Sequence, residues 1–148
     1  MLGILTREQS EHVLRSEIIG RIGCYAVGKV YIVPVSYVYH NNFIYAHSKE
    51  GLKIKMMRKN SKVCFEVESR DSMTSWRTVI LWGTYEELNT LPEQKKAMKI
   101  LNDRFLPLRL SESLLQTGYM HFPREVEKAR KPVIYRISID EVSGRFEK

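Results

Sequence analysis

Residues 31–60 read YIVPVSYVYHNNFIYAHSKEGLKIKMMRKN. The pattern predicts a strand, a tight turn at His40-Asn41-Asn42, a second strand, and a glycine-broken loop opening into a basic helix. Asparagine suits the turn because it tolerates left-handed backbone. Two apolar ribbons thus carry a small polar loop, His47, Ser48, Gly51 and Lys53, to the edge of a sheet. Such a loop can hold an anionic group at a helix start, while the strands beside it offer flat backbone to a ring. The stretch points to a phosphate-bearing aromatic cofactor.

Upstream, Thr6 and Gln9 fit a capping box, so a short helix should run from Arg7 to Ser16. Arg21 to Val27 reads as a first strand and Gly28-Lys29 as its turn. Val30 to Tyr39 reads as one long strand interrupted at Pro34. A proline there cannot donate to a ladder, which implies an edge, a bulge or backbone left free for a ligand. Phe43 to His47 is the next strand and Gly51 to Lys59 a helix. Downstream, Val63, Phe65 and Val67 alternate with Cys64, Glu66 and Glu68, the signature of a half-buried strand. Trp76 to Leu88 is apolar on both faces at its centre and is expected to be buried. Thr90, Pro92 and Glu93 open a helix that buries Ala97, Met98, Leu101 and Phe105. Leu106 to Lys131 reads as partly helical, broken by Gly118 and Pro123. Val133 to Ile139 is the last strand. The sum is a mainly β, α+β chain of about six antiparallel strands with flanking helices. It is expected to close as a small barrel, one domain over residues 1–148.

The chain's 148 residues and 43% hydrophobic content suffice for one core. No run is apolar enough to span a bilayer and no signal peptide is visible, so a cytoplasmic protein is expected. Cys24 and Cys64 fall in strands and in no paired motif, which suggests reduced core thiols. The net charge is +7. Its basic runs, Lys49 to Lys62 and Arg124 to Lys131, lack the interleaved aromatics of a single-strand binding platform. No zinc-finger or helix-turn-helix spacing occurs, so no nucleic-acid partner is expected. The four histidines show no metal-site spacing. No Ser-His-Asp or Cys-His arrangement and no catalytic carboxylate pair is visible, so any hard chemistry belongs to a cofactor.

The ordered motifs resemble the pyridoxamine 5′-phosphate oxidase-like, FMN-binding split-barrel superfamily, and within it the nitroimidazole-resistance-type flavoproteins. The resemblance rests on Gly20-Arg21-Ile22-Gly23, Val33-Pro34-Val35-Ser36-Tyr37, and Tyr45-Ala46-His47-Ser48 with Gly51 and Lys53. It continues through residues 60–68, Trp76-Arg77-Thr78-Val79 with Gly83, and Tyr135-Arg136-Ile137 with Glu141-Val142-Ser143-Gly144. It implies a six-stranded antiparallel split β-barrel of Greek-key order and a homodimer with two FMN sites at the interface. It also implies an oxidoreductase that passes electrons from a donor to a small-molecule substrate of the nitro or quinone class. A non-catalytic flavin or haem carrier on the same fold is the alternative, and some relatives bind haem or no cofactor at all. By position, His47, Ser48 and Lys53 would hold the FMN phosphate and ribityl chain. The backbone of Pro34, Val35, Ser36 and Tyr37 would lie along the isoalloxazine ring. Trp76 and Arg77 would approach the cofactor, from the same or the partner subunit. The short hairpin Val27-Gly28-Lys29-Val30 departs from the family's glycine-rich one. The arginine-lysine signature of true pyridoxamine-phosphate oxidases is also missing, so vitamin B6 oxidation is not implied.

Each site residue also has an ordinary structural reading. Lys53 can be an exposed helix lysine and His47 a satisfied strand terminus. Arg58 and Lys59 read as solvated. Tyr37 can be core, and Trp82, Tyr45 and Phe43 core or dimer interface. Arg77 on an apolar strand calls for a carboxylate, with Glu66 or Glu68 as the structural candidates. Arg21 and Arg136 read as structural ion pairs.

Overall fold

The computed structural model describes residues 1–115 and 132–148, with side chains described for 1–108 and 132–148. The second basic run and the breaks at Gly118 and Pro123 lie outside the described residues. Among the described residues eight strands and three helices follow one another: β1 (Leu2–Ile4), α1 (Arg7–Ser16), β2 (Ile19–Ala26), β3 (Lys29–Ser36), β4 (Val38–His40) and β5 (Phe43–Ser48). Then come α2 (Leu52–Lys59), β6 (Lys62–Ser72), β7 (Ser75–Glu87), α3 (Leu91–Leu115) and β8 (Val133–Glu147). All strand pairs are antiparallel, in the order β3-β2-β6-β7-β8-β5-β4, with β1 added to β8.

The antiparallel sheet with flanking helices matches the sequence reading, but the sheet has eight strands rather than six and is not closed. One extra strand is β1, too short to show an alternation. The other arises because residues 30–39 divide at Tyr37 rather than at Pro34. The Tyr37 side chain is wholly buried, its hydroxyl donates to the Leu14 carbonyl at 2.8 Å, and its N–H donates to the Ile18 carbonyl. Those bonds turn the chain out of one ladder and into another. Pro34 instead sits within β3, opposite Arg21, on a strand that ends the sheet path. An end strand is where a missing donor is tolerated.

Local chemistry accounts for the connections. The Thr6–Gln9 capping box forms at α1. Val27-Gly28 and Asn41-Asn42 are two-residue hairpin turns with both residues at positive φ. β8 runs eight residues past the expected end, to Glu147, along β7. Asp140 is the extra residue of a bulge in this pairing, beside Gly83. A Cβ on Gly83 would stand 2.2 Å from the Ser138 carbonyl oxygen, so only glycine fits there.

The main core lies inside the curl of the sheet, under α1 and α2. It includes Leu14, Ile22, Tyr37, Met57, Phe65 and Tyr135. A second cluster, Tyr45, Leu88, Ala97, Leu101, Phe105 and Ile134, lies between α3 and the sheet's other surface. Val63, Phe65 and Val67 point inward as expected. β7 differs from its expectation: Ile80 and Trp82 face outward and are partly exposed.

Candidate functional site

The fork made by β3, β4 and β5 organises the predicted site. β4 pairs with β5 up to Val38 opposite Tyr45. Beyond that pair the two strands part. Ser36 leaves with β2, opposite Ile19, while His47 stays with β8, opposite Ile134. Pro34, Val35 and Ser36 therefore form one lip of the fork, and His47 and Ser48 the other. Tyr37 is the hinge. Its side chain is committed to the core in edge contact with Phe65, 5.0 Å between centroids, so only its backbone can meet a ligand.

Below the second lip lies the turn into α2. Ser48 donates to its neighbour's carbonyl, Lys49 O, at 2.9 Å. Gly51 is the N-cap of α2, and no side chain caps the helix. A Cβ on Gly51 would meet only the Lys49 carbonyl, at 4.0 Å, so the space before the helix is open. The first-turn N–H groups thus have no side-chain acceptor at the cap, where anions are favoured. Lys53, in the first turn, is half-buried, and burial lowers its pKa below the ordinary lysine value. No carboxylate pairs with it among the described residues. A partly desolvated ammonium beside an uncapped helix start is a receptor for an anion.

Arg58 is not merely solvated. It bonds Glu50 at 2.8 Å, and Glu87, at the end of β7, at 2.6 Å. Glu87 also accepts from the Tyr85 hydroxyl at 3.2 Å. This triad borders a pocket of ≈ 220 Å³ lined also by Leu88, Gln94 and Val133. The sequence hides it because Glu87 arrives from a distant strand.

Trp76 and Arg77 lie elsewhere. They line a cleft of ≈ 350 Å³ with Asp71, Phe146 and Glu147. The Trp76 indole N–H donates to the Glu147 carboxylate at 3.0 Å. Arg77 pairs with Asp71 at 3.6 Å rather than with Glu66 or Glu68. Those two glutamates serve Arg21 and Arg70. Arg136 pairs with Glu86 at 2.7 Å and stacks over Phe43, so it and Arg21 are the structural ion pairs expected. Phe146 contributes to the cleft's wall. Along β8, the cleft row Trp76–Glu147 stands fourteen residues from the Ser48–Val133 row. That is about 45 Å of strand path.

The outer face of β2, β3, β6 and β7 completes the picture. Register sets Tyr25 beside Val30, and Gly23 beside both Ile32 and Cys64, with Trp82 next in that row. Val30 is 71% exposed, Ile32 66% and Trp82 42%. Cys64 sits half-exposed in this patch while Cys24 is buried; both are free thiols, and only Cys24 is in the core. No helix among the described residues is long and apolar enough to cross a membrane.

An open antiparallel split barrel, forked beside an uncapped basic helix start, defines the class of protein. The chain belongs to the pyridoxamine 5′-phosphate oxidase family, which it matches over residues 6–146. It is 27% identical to the uncharacterized protein RA0666 of Rhizobium meliloti (strain 1021), over 96% of this chain and 93% of that one. Its fold is similar to the crystal structure of an FAD-binding protein from Mesorhizobium loti, with TM-score 0.76, 29% identity, and 100% and 99% of the two chains covered. It is also similar to a protein assigned provisionally to 5-nitroimidazole antibiotic resistance in Bacteroides thetaiotaomicron, with TM-score 0.73, 17% identity, and 99% and 87% covered.

Proposed function

We propose that this chain binds a flavin, FMN in the first instance, and works as an oxidoreductase on a small electrophile of the nitro or quinone class. The observation that carries the reading is Lys53: partly desolvated, without a carboxylate partner among the described residues, and beside a helix start that no side chain caps. Its ammonium and the α2 N–H groups suit the terminal phosphate, with His47 alongside and the Ser48 hydroxyl able to donate once it turns from the Lys49 carbonyl. The backbone of Pro34 to Tyr37, on the opposite lip, suits the polar edge of the isoalloxazine ring. When bound, the flavin supplies two-electron transfer. The chain's own part is to fix the phosphate, orient the ring by backbone groups and keep water from one of its faces.

The similarity to an FAD-binding protein of Mesorhizobium loti supports a flavin and leaves FMN to be distinguished from FAD. The two share the ring, the ribityl chain and the first phosphate.

The apolar outer face supports a homodimer, because Val30, Ile32, Tyr25 and Trp82 lie exposed together on one face of the sheet. A second copy would also account for Trp76 and Arg77. They lie far along β8 from the phosphate loop and could complete the partner's site.

The test is to release the bound flavin, identify it by mass, and follow anaerobic reduction of the holoprotein by NADH or NADPH. Reduction followed by reoxidation with a quinone or nitroarene supports the enzyme. Binding without reduction by either nucleotide favours the carrier alternative. A chain that takes up neither FMN nor FAD defeats the proposal.

A further inference from the structure

Glu50 stands just before Gly51, the N-cap of α2, and Lys53 follows three residues later in the first turn. They do not pair here. Glu50 is instead held by the Arg58 guanidinium at 2.8 Å. Lys53 and Arg58 are five residues apart, so they lie about 140° around the helix from each other. Glu50 is therefore drawn toward the flank opposite Lys53. Its carboxyl is held below the usual range first by its hydrogen bond to Arg58. Glu87, at the end of β7, holds Arg58 at 2.6 Å and so ties the guanidinium to the sheet.

We propose that Arg58 is a positioning residue for phosphate recognition: by sequestering Glu50 it keeps Lys53 unpaired and available to a dianion. The inference rests on the phosphate-loop reading above and adds an internal competitor to it. Without Arg58, Glu50, three residues before Lys53 in the chain, is released to neutralise it, and a phosphate must displace it. The two acidic partners have different duties. Glu87 fixes the guanidinium, and Glu50 is the charge being restrained.

A simple strut and a restrained competitor make opposite predictions for Glu50. If the ion pair only braces the loop, losing either partner loosens it, and E50Q harms as R58Q does. If Glu50 is the competitor, E50Q is harmless and rescues R58Q. The experiment is to titrate apoprotein of the wild type, E50Q, R58Q and E50Q/R58Q with FMN and, separately, with riboflavin, which has the same ring and no phosphate. An exposed ion pair is worth at most about fivefold in affinity, so R58Q should bind FMN about fivefold more weakly. E50Q/R58Q should return to within about twofold of wild type, a coupling that independent sites would not give. Riboflavin affinity should be the same in all four proteins. The proposal is overturned if E50Q weakens FMN binding as R58Q does, if the double variant is no better than R58Q, or if riboflavin loses in parallel. Should R58Q not fold, E50Q alone decides: unchanged or tighter FMN binding supports the proposal and weaker binding overturns it. A wild type that does not prefer FMN to riboflavin removes the underlying phosphate reading, an outcome distinct from a preference that R58Q leaves untouched.

Discussion

Replacing Lys53 by methionine separates binding from folding. The substitution keeps an unbranched apolar stem one atom shorter and removes the charge. Burial lowers the Lys53 pKa and no carboxylate among the described residues offsets the cost, so the folded apoprotein gains nothing from the ammonium. Methionine should therefore leave apoprotein stability equal or slightly higher. The phosphate loses a charge-assisted hydrogen bond of about 1.5–3 kcal/mol, or ~10- to ~150-fold in FMN affinity. Fluorescence titration of apoprotein reads the affinity, thermal melting of the same samples reads stability, and riboflavin serves as the control without phosphate. FMN affinity should fall within that range, with riboflavin unchanged and the melting temperature not lowered. Undiminished FMN binding by K53M would refute the reasoning, and so would an equal loss of riboflavin. A clear fall in apoprotein melting temperature would show that the lysine serves the fold.

Three further expectations follow from the same geometry. FMN affinity should decline with rising pH as Lys53 loses its proton, earlier than an ordinary lysine would, and K53M should flatten that limb. The sign for stability is opposite: between the depressed folded pKa and the unfolded one, the unfolded chain binds more protons, so the Lys53 contribution improves as pH rises, and the burial cost is fully present below the folded pKa. Tyr37→Phe should cost about 1–3 kcal/mol by leaving the buried Leu14 carbonyl unmet. For a chain of this size that lowers the melting temperature by about 3–10 °C, and an unchanged melt would remove Tyr37 as the hinge. Trp82→Glu should give a monomer by light scattering and lose flavin if Trp76 and Arg77 of a second copy complete the site; a dimer that keeps its flavin would discount the outer face as the interface.

Much of this architecture could be read in the sequence because its signals are local. The Thr6–Gln9 capping box, the Asn41-Asn42 turn and the Val63–Phe65–Val67 alternation each depend on neighbours within a few residues, and each is present. What escaped depends on distant partners. The division of residues 30–39 at Tyr37 needs the Leu14 and Ile18 carbonyls, supplied by α1 and the residues just after it. The exposure of Trp82 and Ile80 reflects which face the curled sheet turns outward, which an apolar strand alone cannot specify. The site was half legible. The polar loop and Lys53 follow from composition and spacing. The Glu87 anchor on Arg58, and the Asp71 and Glu147 partners of Arg77 and Trp76, come from the tertiary register of β6, β7 and β8.

The most direct measurement is a visible absorption spectrum of the purified chain, followed by titration of the apoprotein with FMN. A flavin spectrum approaching one equivalent per chain, with FMN held more tightly than riboflavin, is the predicted result. A colourless protein whose spectrum adds nothing to that of free FMN would contradict it.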